Sequence, residues 1–250
     1  MHILDQIEIH AADHCVQKCK WCSHAADIAA KAFYSRSDFE PWFQRLNAKG
    51  IYINRIQILG GEPFLNSELP DLCDMARKFA ATVLIMSNMY WLKAESDIAK
   101  YASILRKIDH LVVTLYDPIV ERCGGIDNVR KLLEALKTDF PHCRFTSFTE
   151  WGQPVRDFAV IDFHEESLPV INPDCSFIRC KQLMPGGTIL GCCSMRRILN
   201  RQELLDSWDV NTDFDTVEFM RWYNADKLKT CNHCSIATRG VEVVPWELVG

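Results

Sequence analysis

Twelve of the 250 residues are cysteines, and three of them form a closely spaced group near the N-terminus. Cys15, Cys19 and Cys22 follow one another as Cys-x3-Cys-x2-Cys. A loop with this spacing can wrap three thiolates around one corner of a cubane cluster and leave the fourth iron open, which is the design of a catalytic metal site. Two alternatives fit equally well. The three positions share one face of a helix and could be core, and a zinc ion could take His14 or His24 as its fourth ligand.

A second group of six cysteines lies in the C-terminal part of the chain and comprises Cys175, Cys180, Cys192, Cys193, Cys231 and Cys234. Cys231 and Cys234 have the Cys-x2-Cys spacing of a metal-binding turn, and Cys192 ends a Gly-x4-Cys run on a predicted hairpin. If Cys192 lies on a strand of that hairpin, the next residue, Cys193, points to the opposite face of the strand and is either a core residue or a reactive thiol. The group predicts a four-ligand centre of zinc or of iron and sulfur.

The composition excludes several classes of protein. Lys and Arg total 28 and Asp and Glu total 33, which leaves a net charge of −5 and argues against a generic nucleic-acid or membrane-surface binder. The N-terminus lacks the features of a signal peptide, and no apolar run approaches the roughly 18 residues of a membrane span. We therefore expect a cytoplasmic protein without nucleic-acid or membrane partners, whose cysteines are metal ligands, redox groups or core residues.

The elements that must position these cysteines alternate between apolar strands and amphipathic helices up to about residue 150. Strands are predicted over residues 7–10, 55–59, 82–86, 110–116 and 144–148. This alternation predicts an α/β fold with a parallel sheet, whose site lies where the strands end. The polar or ligand-type residues that follow the strands are Cys15, Gly60, Gly61, Glu62, Ser87, Asn88, Asp117, Thr149 and Glu150. The sequence thus predicts one functional rim.

Helix starts are predicted from capping residues. Ser37 and Glu40 fit a capping box for a helix over residues 37–49, and Asn66 can cap the next helix. Further helices are predicted over residues 98–108 and after Gly124 and Gly125.

Two motifs together resemble the radical S-adenosylmethionine (SAM) enzyme superfamily. The cysteine triplet follows the first strand and has Trp21 just before its third cysteine, and Gly60-Gly61-Glu62-Pro63 follows the second strand. The resemblance implies a partial (β/α)6 barrel in which the triplet holds a [4Fe-4S] cluster. The open iron would bind the amino and carboxylate groups of SAM, and an external reductant such as flavodoxin or ferredoxin would supply the electron that cleaves SAM to a 5′-deoxyadenosyl radical.

The same resemblance implies roles for residues outside the triplet. The Gly60, Gly61 and Glu62 segment would address the methionyl amino group, and Trp21 would pack near the adenine. Ser87 and Asn88 would contact the cofactor, although a turn or helix cap explains these two residues equally well.

The C-terminal cysteines resemble the SPASM/Twitch extension of this superfamily, because the spacing Cys-x11-Gly-x4-Cys ends at Cys192 and a single Cys-x2-Cys follows. The shorter Twitch form is implied, with one auxiliary [4Fe-4S] cluster on Cys192, Cys231 and Cys234. Either Cys175 or Cys180 is the fourth ligand, and a structural zinc knuckle is the alternative. We expect a barrel domain over residues 1–165 and an auxiliary-cluster domain over residues 166–250.

Several reactions are compatible with this layout. An auxiliary cluster near the substrate favours the dehydrogenation of a small polar molecule such as a sugar or cyclitol. The alternatives are epimerisation, in which a thiol such as Cys193 or Cys123 returns a hydrogen atom, and peptide or protein maturation. Cys73 and Cys143 are predicted to be core residues. The alternative to an enzyme is a non-catalytic zinc-binding module.

Overall fold

The computed structural model describes residues 1–149, 153–172 and 175–249, so the predicted rim residue Glu150 lies outside the described residues. The strands are β1 His2–Ala12, β2 Ile51–Gly60, β3 Ala80–Ser87, β4 His110–Val113, β5 Arg144–Ser147, β6 Asp157–Ala159, β7 Gln182–Leu183, β8 Thr188–Leu190, β9 Ser207–Asp209 and β10 Val243–Pro245. The helices are α1 Glu40–Ala48, α2 Leu69–Phe79, α3 Ile98–Leu105, α4 Asp117–Arg122, α5 Ile126–Asp139, α6 Thr216–Tyr223 and α7 Ser235–Arg239.

The predicted α/β class with a mostly parallel sheet is confirmed. Eight strands form one sheet in the order β5-β4-β3-β2-β1-β7-β8-β9, and β1 to β5 pair in parallel. Strands β1 and β2 alternate between two environments. Ile7, Ile9 and Ile56 are fully buried in the main apolar core, whereas Glu8 and Gln57 line a cavity. The alternation therefore separates the packing residues from the polar ones.

In this sheet the sixth parallel strand does not lie where a (β/α)6 barrel would place it. Strand β7 comes from the C-terminal part and pairs in parallel with β1, through Glu8 opposite Gln182 and Ile9 opposite Leu183. Strands β8 and β9 then continue the sheet in antiparallel fashion. The C-terminal cysteine region is therefore hydrogen-bonded to the strand that precedes the first cysteine group. The division at residue 165 stays a prediction.

Both predicted helix caps were displaced, because a proline fixes each helix start. Pro41 lacks an N–H and must lie in the first turn, so α1 begins at Glu40, and the capping box forms upstream between Ser35 and Asp38. Helix α2 begins at Leu69 with Glu68 at its N-cap position, and Asn66 lies one turn earlier, where its Oδ1 accepts from the Glu68 N–H (2.9 Å). The side-chain amide of Asn66 donates to the carbonyl oxygen of Ala11 (2.7 Å) and so connects the end of β1 to the entry of α2.

Across the described ranges, no helix is long and apolar enough to cross a membrane.

Candidate active site

The first cysteine group lies in an irregular loop after β1, and this rules out the alternative of three core residues on one helix face. The backbone N–H of Cys22 donates to the carbonyl oxygen of Cys19 (3.2 Å), and that of Ala25 donates to Cys22 (3.0 Å). Trp21 and Ala25 have φ angles of 63° and 58°, in the left-handed region. These two reversals turn the loop tightly enough to bring its cysteines to one place.

Cys15, Cys19 and Cys22 line one cavity of about 290 Å³ that runs from the cysteine loop to the C-terminal region. The predicted rim residues Gly60, Gly61, Ser87 and Asn88 line it as well. Its remaining walls are formed by Glu8, Gln17, Ser23, His24, Ala26, Gln57, Leu59, Met86, Thr114, Tyr116, Phe148, Phe158, Phe177, Cys180 and Cys193. One cavity is therefore lined by residues of both cysteine groups.

Gly60 and Gly61 are required by close backbone packing. A Cβ on Gly61 would overlap the carbonyl of His14 and lie 2.8 Å from the backbone nitrogen of Cys15, and one on Gly60 would overlap the carbonyl oxygen of Ala12. The N–H of Gly61 donates to Ala12 (2.7 Å), and that of Glu62 donates to His14 (2.9 Å). The two glycines therefore clamp the start of the cysteine loop onto the end of β2.

Glu62 is fully buried, and its carboxylate braces the end of β3. It accepts hydrogen bonds from the Ser87 hydroxyl (2.9 Å), the Asn88 N–H (2.8 Å) and the Phe64 N–H (3.2 Å). Burial raises the pKa of Glu62 to about 7. Glu62 is not among the described residues that line the cavity, so its predicted contact with the methionyl amino group stays a prediction.

Ser87 and Asn88 form the turn that the sequence offered as one alternative, and their predicted contact with the cofactor stays a prediction. They form a turn, in which the Ser87 hydroxyl accepts from the Met89 N–H (3.0 Å) and the Asn88 side chain accepts from the Tyr90 N–H (2.9 Å). They also line the cavity, and the Asn88 amide donates to the sulfur of Cys15 (3.4 Å). This contact connects the end of β3 to the cysteine group.

The chemistry of the three thiols fits a bound cluster. Burial raises the pKa of Cys15 well above its usual range and that of Cys19 to about 11, so neither thiol ionises readily by itself. A metal supplies the positive charge that such buried thiolates need. The three side chains converge on one cavity, and all of them are free of disulfides.

Trp21 lies beside this cavity, with the Arg197 guanidinium 5.7 Å from its ring centroid. Among the described residues it does not contribute to the cavity lining, so the predicted packing against adenine stays a prediction.

A buried polar chain that the sequence did not reveal borders the same cavity. The Asp13 carboxylate lies 2.7 Å from His10 Nδ1, and His10 Nε2 lies 3.3 Å from His24 Nδ1. Asp13 also accepts from the Tyr34 hydroxyl (2.6 Å) and pairs with Arg196. Burial lowers the pKa of His10 to about 4 and that of His24 well below its usual value, so both rings are neutral at pH 7.

Four of the C-terminal cysteines surround a second, smaller cavity, and they are Cys175, Cys192, Cys231 and Cys234. The other lining residues are mostly apolar and include Phe163, Met195 and Leu228. Of the two candidates for a fourth ligand, the structure places Cys175 here and Cys180 in the first cavity. Phe177 lines both cavities and therefore separates them by one side chain.

Cys193 lines the first cavity and its neighbour Cys192 lines the second. The predicted opposite directions are found, but the predicted strand is not, because β8 ends at Leu190 and Cys193 begins a 3-10 helix over Cys193–Ile198. A hydrogen bond from the Cys193 thiol lowers the pKa of Cys192 to about 7. Cys193 itself is buried, and its hydrogen bonds to Cys180 and Cys192 raise its pKa well above the usual value. Cys193 is therefore a protonated thiol in the wall between the two cavities.

The other three cysteines are packing residues. Cys73 and Cys143 are buried in the main core, as predicted. The Cys123 thiol is also buried there and donates to the carbonyl oxygen of Leu92 (3.3 Å). This geometry does not favour the predicted role of Cys123 as a hydrogen-atom donor, because Cys123 is not among the described residues that line the cavity.

We expect the substitution Gly61→Ala to destabilise the folded protein by about 1–3 kcal/mol, because the backbone of the cysteine loop would have to move. Iron content should fall with it, and both quantities are measured after anaerobic reconstitution. Gly124→Ala is the control. Its Cβ meets no atom within 4 Å, so only the left-handed backbone costs energy, about 1–2 kcal/mol, and the iron should be retained. Full iron content in Gly61→Ala would contradict the clamp.

The comparisons with known proteins agree with this site. The sequence model of the Radical SAM superfamily matches residues 9–139. A PqqA peptide cyclase from Streptomyces rochei is 28% identical over 112 residues, which are 44% of this chain and 29% of that protein. The chain therefore spans less than a third of the length of this relative.

Two solved structures are similar over most of the chain. BtrN in complex with AdoMet and 2-DOIA has a TM-score of 0.57 and 14% identity, with 96% of this chain and 89% of that chain covered. SuiB of Streptococcus suis bound to the precursor peptide SuiA has a TM-score of 0.40 and 14% identity, with coverage of 94% and 70%.

The fold and the site define an α/β protein that assembles a cysteine triplet with a glycine-rich strand end. The chain belongs to the radical SAM superfamily, whose model matches more than half of its residues. Members of this superfamily use a [4Fe-4S] cluster and S-adenosylmethionine, and they act on small-molecule or peptide substrates with electrons from an external reductant.

Proposed function

We propose that this enzyme oxidises a hydroxyl-bearing small polar molecule of the sugar or cyclitol class to a ketone. One observation carries the proposal. The cavity that begins at the cysteine triplet extends to Phe177, which also lines the cavity of the four C-terminal cysteines. A substrate held in this space would lie between the two groups.

In this proposal Cys15, Cys19 and Cys22 hold the cluster that binds SAM. Gly60, Gly61, Ser87 and Asn88 enclose the cofactor, since these residues line the same part of the cavity. Glu62 acts on the cofactor through Ser87 and Asn88, whose positions it fixes. Flavodoxin or ferredoxin is the proposed reductant.

Cys175, Cys192, Cys231 and Cys234 are the proposed ligands of an auxiliary [4Fe-4S] cluster. Four thiols around one apolar cavity match the ligand number of such a cluster. When bound, the cluster would supply an acceptor for the second electron of a two-electron oxidation, after SAM chemistry has removed a hydrogen atom from the carbinol carbon and a base has taken the hydroxyl proton. Cys180 takes no part as a ligand in this assignment.

The part of the cavity beyond the SAM site has a mixed lining that suits a small polar molecule. Glu8 and Gln57 are buried neighbours across β1 and β2, and Gln57 Nε2 donates to Glu8 Oε1 (3.0 Å). Tyr116, Phe148 and Phe158 contribute aromatic surface to the same cavity. Buried polar groups together with aromatic rings fit a hydroxylated ring. The fold similarity to BtrN, which holds AdoMet together with 2-DOIA, supports a second small ligand in a fold of this kind.

The test is an anaerobic incubation of the reconstituted enzyme with SAM, dithionite and a panel of hexoses, cyclitols and aminocyclitols. We expect at least one compound to increase 5′-deoxyadenosine formation and to yield a product that has lost two hydrogen atoms. If no member of the panel stimulates the reaction, the substrate class is wrong.

Two other reactions are each favoured by one observation. The Cys193 thiol in the cavity favours epimerisation, and a product of unchanged mass that gains solvent deuterium would establish it. The 28% identity to a PqqA peptide cyclase favours a peptide substrate, and stimulation by short peptides instead of the sugar panel would establish that.

A further inference from the structure

We propose that Glu8, His24 and Cys193 form a third metal site, which holds a divalent transition metal of the zinc class on the wall of the substrate cavity. One ligand atom from each side chain lies within 4.8 Å of the other two. Ligand atoms around tetrahedral zinc are roughly 3.5 Å apart, since each bond is about 2.0–2.3 Å long. Small side-chain movements would therefore close the site. None of these three residues is a proposed ligand of either iron–sulfur cluster.

The donor set is compatible with a zinc site that keeps one position open. A carboxylate oxygen, an imidazole nitrogen and a thiolate are all zinc ligands, and three protein ligands leave a fourth position for an exogenous group. All three residues line the substrate cavity, so an exogenous group could reach the fourth position from there.

The polar chain behind His24 orients this ring as metal-binding histidines are oriented. The Asp13 carboxylate can only accept, so His10 Nδ1 carries the proton and His10 Nε2 is an acceptor. His24 Nδ1 must then donate to His10 Nε2, which leaves a lone pair on His24 Nε2. A carboxylate that fixes the tautomer of a metal-binding histidine is a frequent arrangement, here extended by one ring.

Glu8 contributes an independent observation. It is 1% exposed, and its Oε1 accepts from Gln57, but its buried Oε2 accepts no hydrogen bond that meets standard geometry within the described part of the chain. The Cys180 thiol also makes a hydrogen bond to the carboxylate, so Glu8 is not without partners. What favours a metal here is position, because a buried carboxylate with only amide and thiol donors around it lies within 4.8 Å of ligand atoms of His24 and Cys193.

The third residue, Cys193, separates this site from the auxiliary cluster. Its side chain faces the first cavity, whereas that of Cys192 faces the second. Metal binding would convert the Cys193 thiol to a thiolate and remove it as a hydrogen-atom donor, which favours oxidation over epimerisation. On the proposed function, the open position would bind the hydroxyl oxygen of the substrate and orient its carbon toward SAM.

The test uses the full chain with its clusters reconstituted, without SAM or substrate, titrated with zinc chloride alone. We expect one zinc per chain, with unchanged iron content, and a zinc K-edge absorption spectrum that shows one sulfur among nitrogen and oxygen neighbours. His24→Gln and Glu8→Gln should weaken zinc binding more than about tenfold. His10→Gln, which removes only the orienting ring, should weaken it about 10- to 100-fold. The exposed His142→Gln is the control and should bind zinc like the unmodified protein.

Zinc with three or more sulfur neighbours would place the metal among the cluster cysteines and overturn the proposal. So would the absence of zinc binding, or equal binding in His24→Gln. The spectrum of the unmodified protein decides the matter even if a variant fails to fold. Because no substrate is present, the result of this zinc titration does not depend on whether the enzyme oxidises a hydroxyl group.

Discussion

The substitution Cys15→Ala should abolish the cleavage of SAM. We expect the rate of 5′-deoxyadenosine formation to fall at least about 10³-fold, equivalent to about 4 kcal/mol of lost transition-state stabilisation. Cys15 is buried at the centre of the site, where its sulfur accepts hydrogen bonds from the Gln17 N–H (3.3 Å) and the Asn88 amide (3.4 Å). Losing this sulfur removes one of three ligands and the contact that joins the cysteine loop to β3.

The measurement is anaerobic SAM turnover with dithionite, with iron counted on the same sample. Cys123→Ser is the matched control, because this buried cysteine lies in the core and not in the described lining of either cysteine cavity. It should retain SAM cleavage and full iron content. Undiminished cleavage by Cys15→Ala would show that the triplet does not hold the SAM-binding cluster.

The second large effect should distinguish Cys175 from Cys180. Cys175→Ser should lose about four irons per chain and slow product formation at least about 100-fold, equivalent to about 2.7 kcal/mol, while SAM cleavage continues. The reason is positional, since Cys175 shares a cavity with Cys192, Cys231 and Cys234. Cys180→Ser should keep all of its iron, because Cys180 lines the other cavity.

Iron analysis and product analysis on the same two variants check this prediction. If Cys180→Ser loses the iron and Cys175→Ser keeps it, the ligand assignment is reversed. If both keep it, the C-terminal cysteines do not hold a cluster.

The α/β fold could be predicted because local patterns encode it. The apolar strands, the helices between them and the polar strand ends are each visible within short segments, and the cysteine triplet with the glycine pair marks the site. The place of β7 could not be predicted in the same way. It is two residues long, and its partner β1 lies more than 170 residues away, so no local periodicity reveals the pairing.

A pattern in the first strand of the sequence could have predicted buried polar side chains at the cavity. Glu8 and His10 alternate with Ile7 and Ile9 in the first strand, and two polar residues on one face of a buried parallel strand indicate a lined interior. The link from His10 to His24 was not predictable, because it depends on how the loop turns at Trp21 and Ala25. For the fourth ligand the family spacing favours Cys175 and the nearness to the hairpin favours Cys180, and only the packed structure shows which of them shares a cavity with the other three cysteines.

Mössbauer spectroscopy of the full chain carrying Cys15→Ala, Cys19→Ala and Cys22→Ala together distinguishes two iron–sulfur clusters from one. After reconstitution with ⁵⁷Fe, we expect about four irons per chain with the spectrum of a single [4Fe-4S] cluster, held by the four cysteines of the second cavity. A colourless protein that binds zinc at those four cysteines and holds no iron would contradict this expectation.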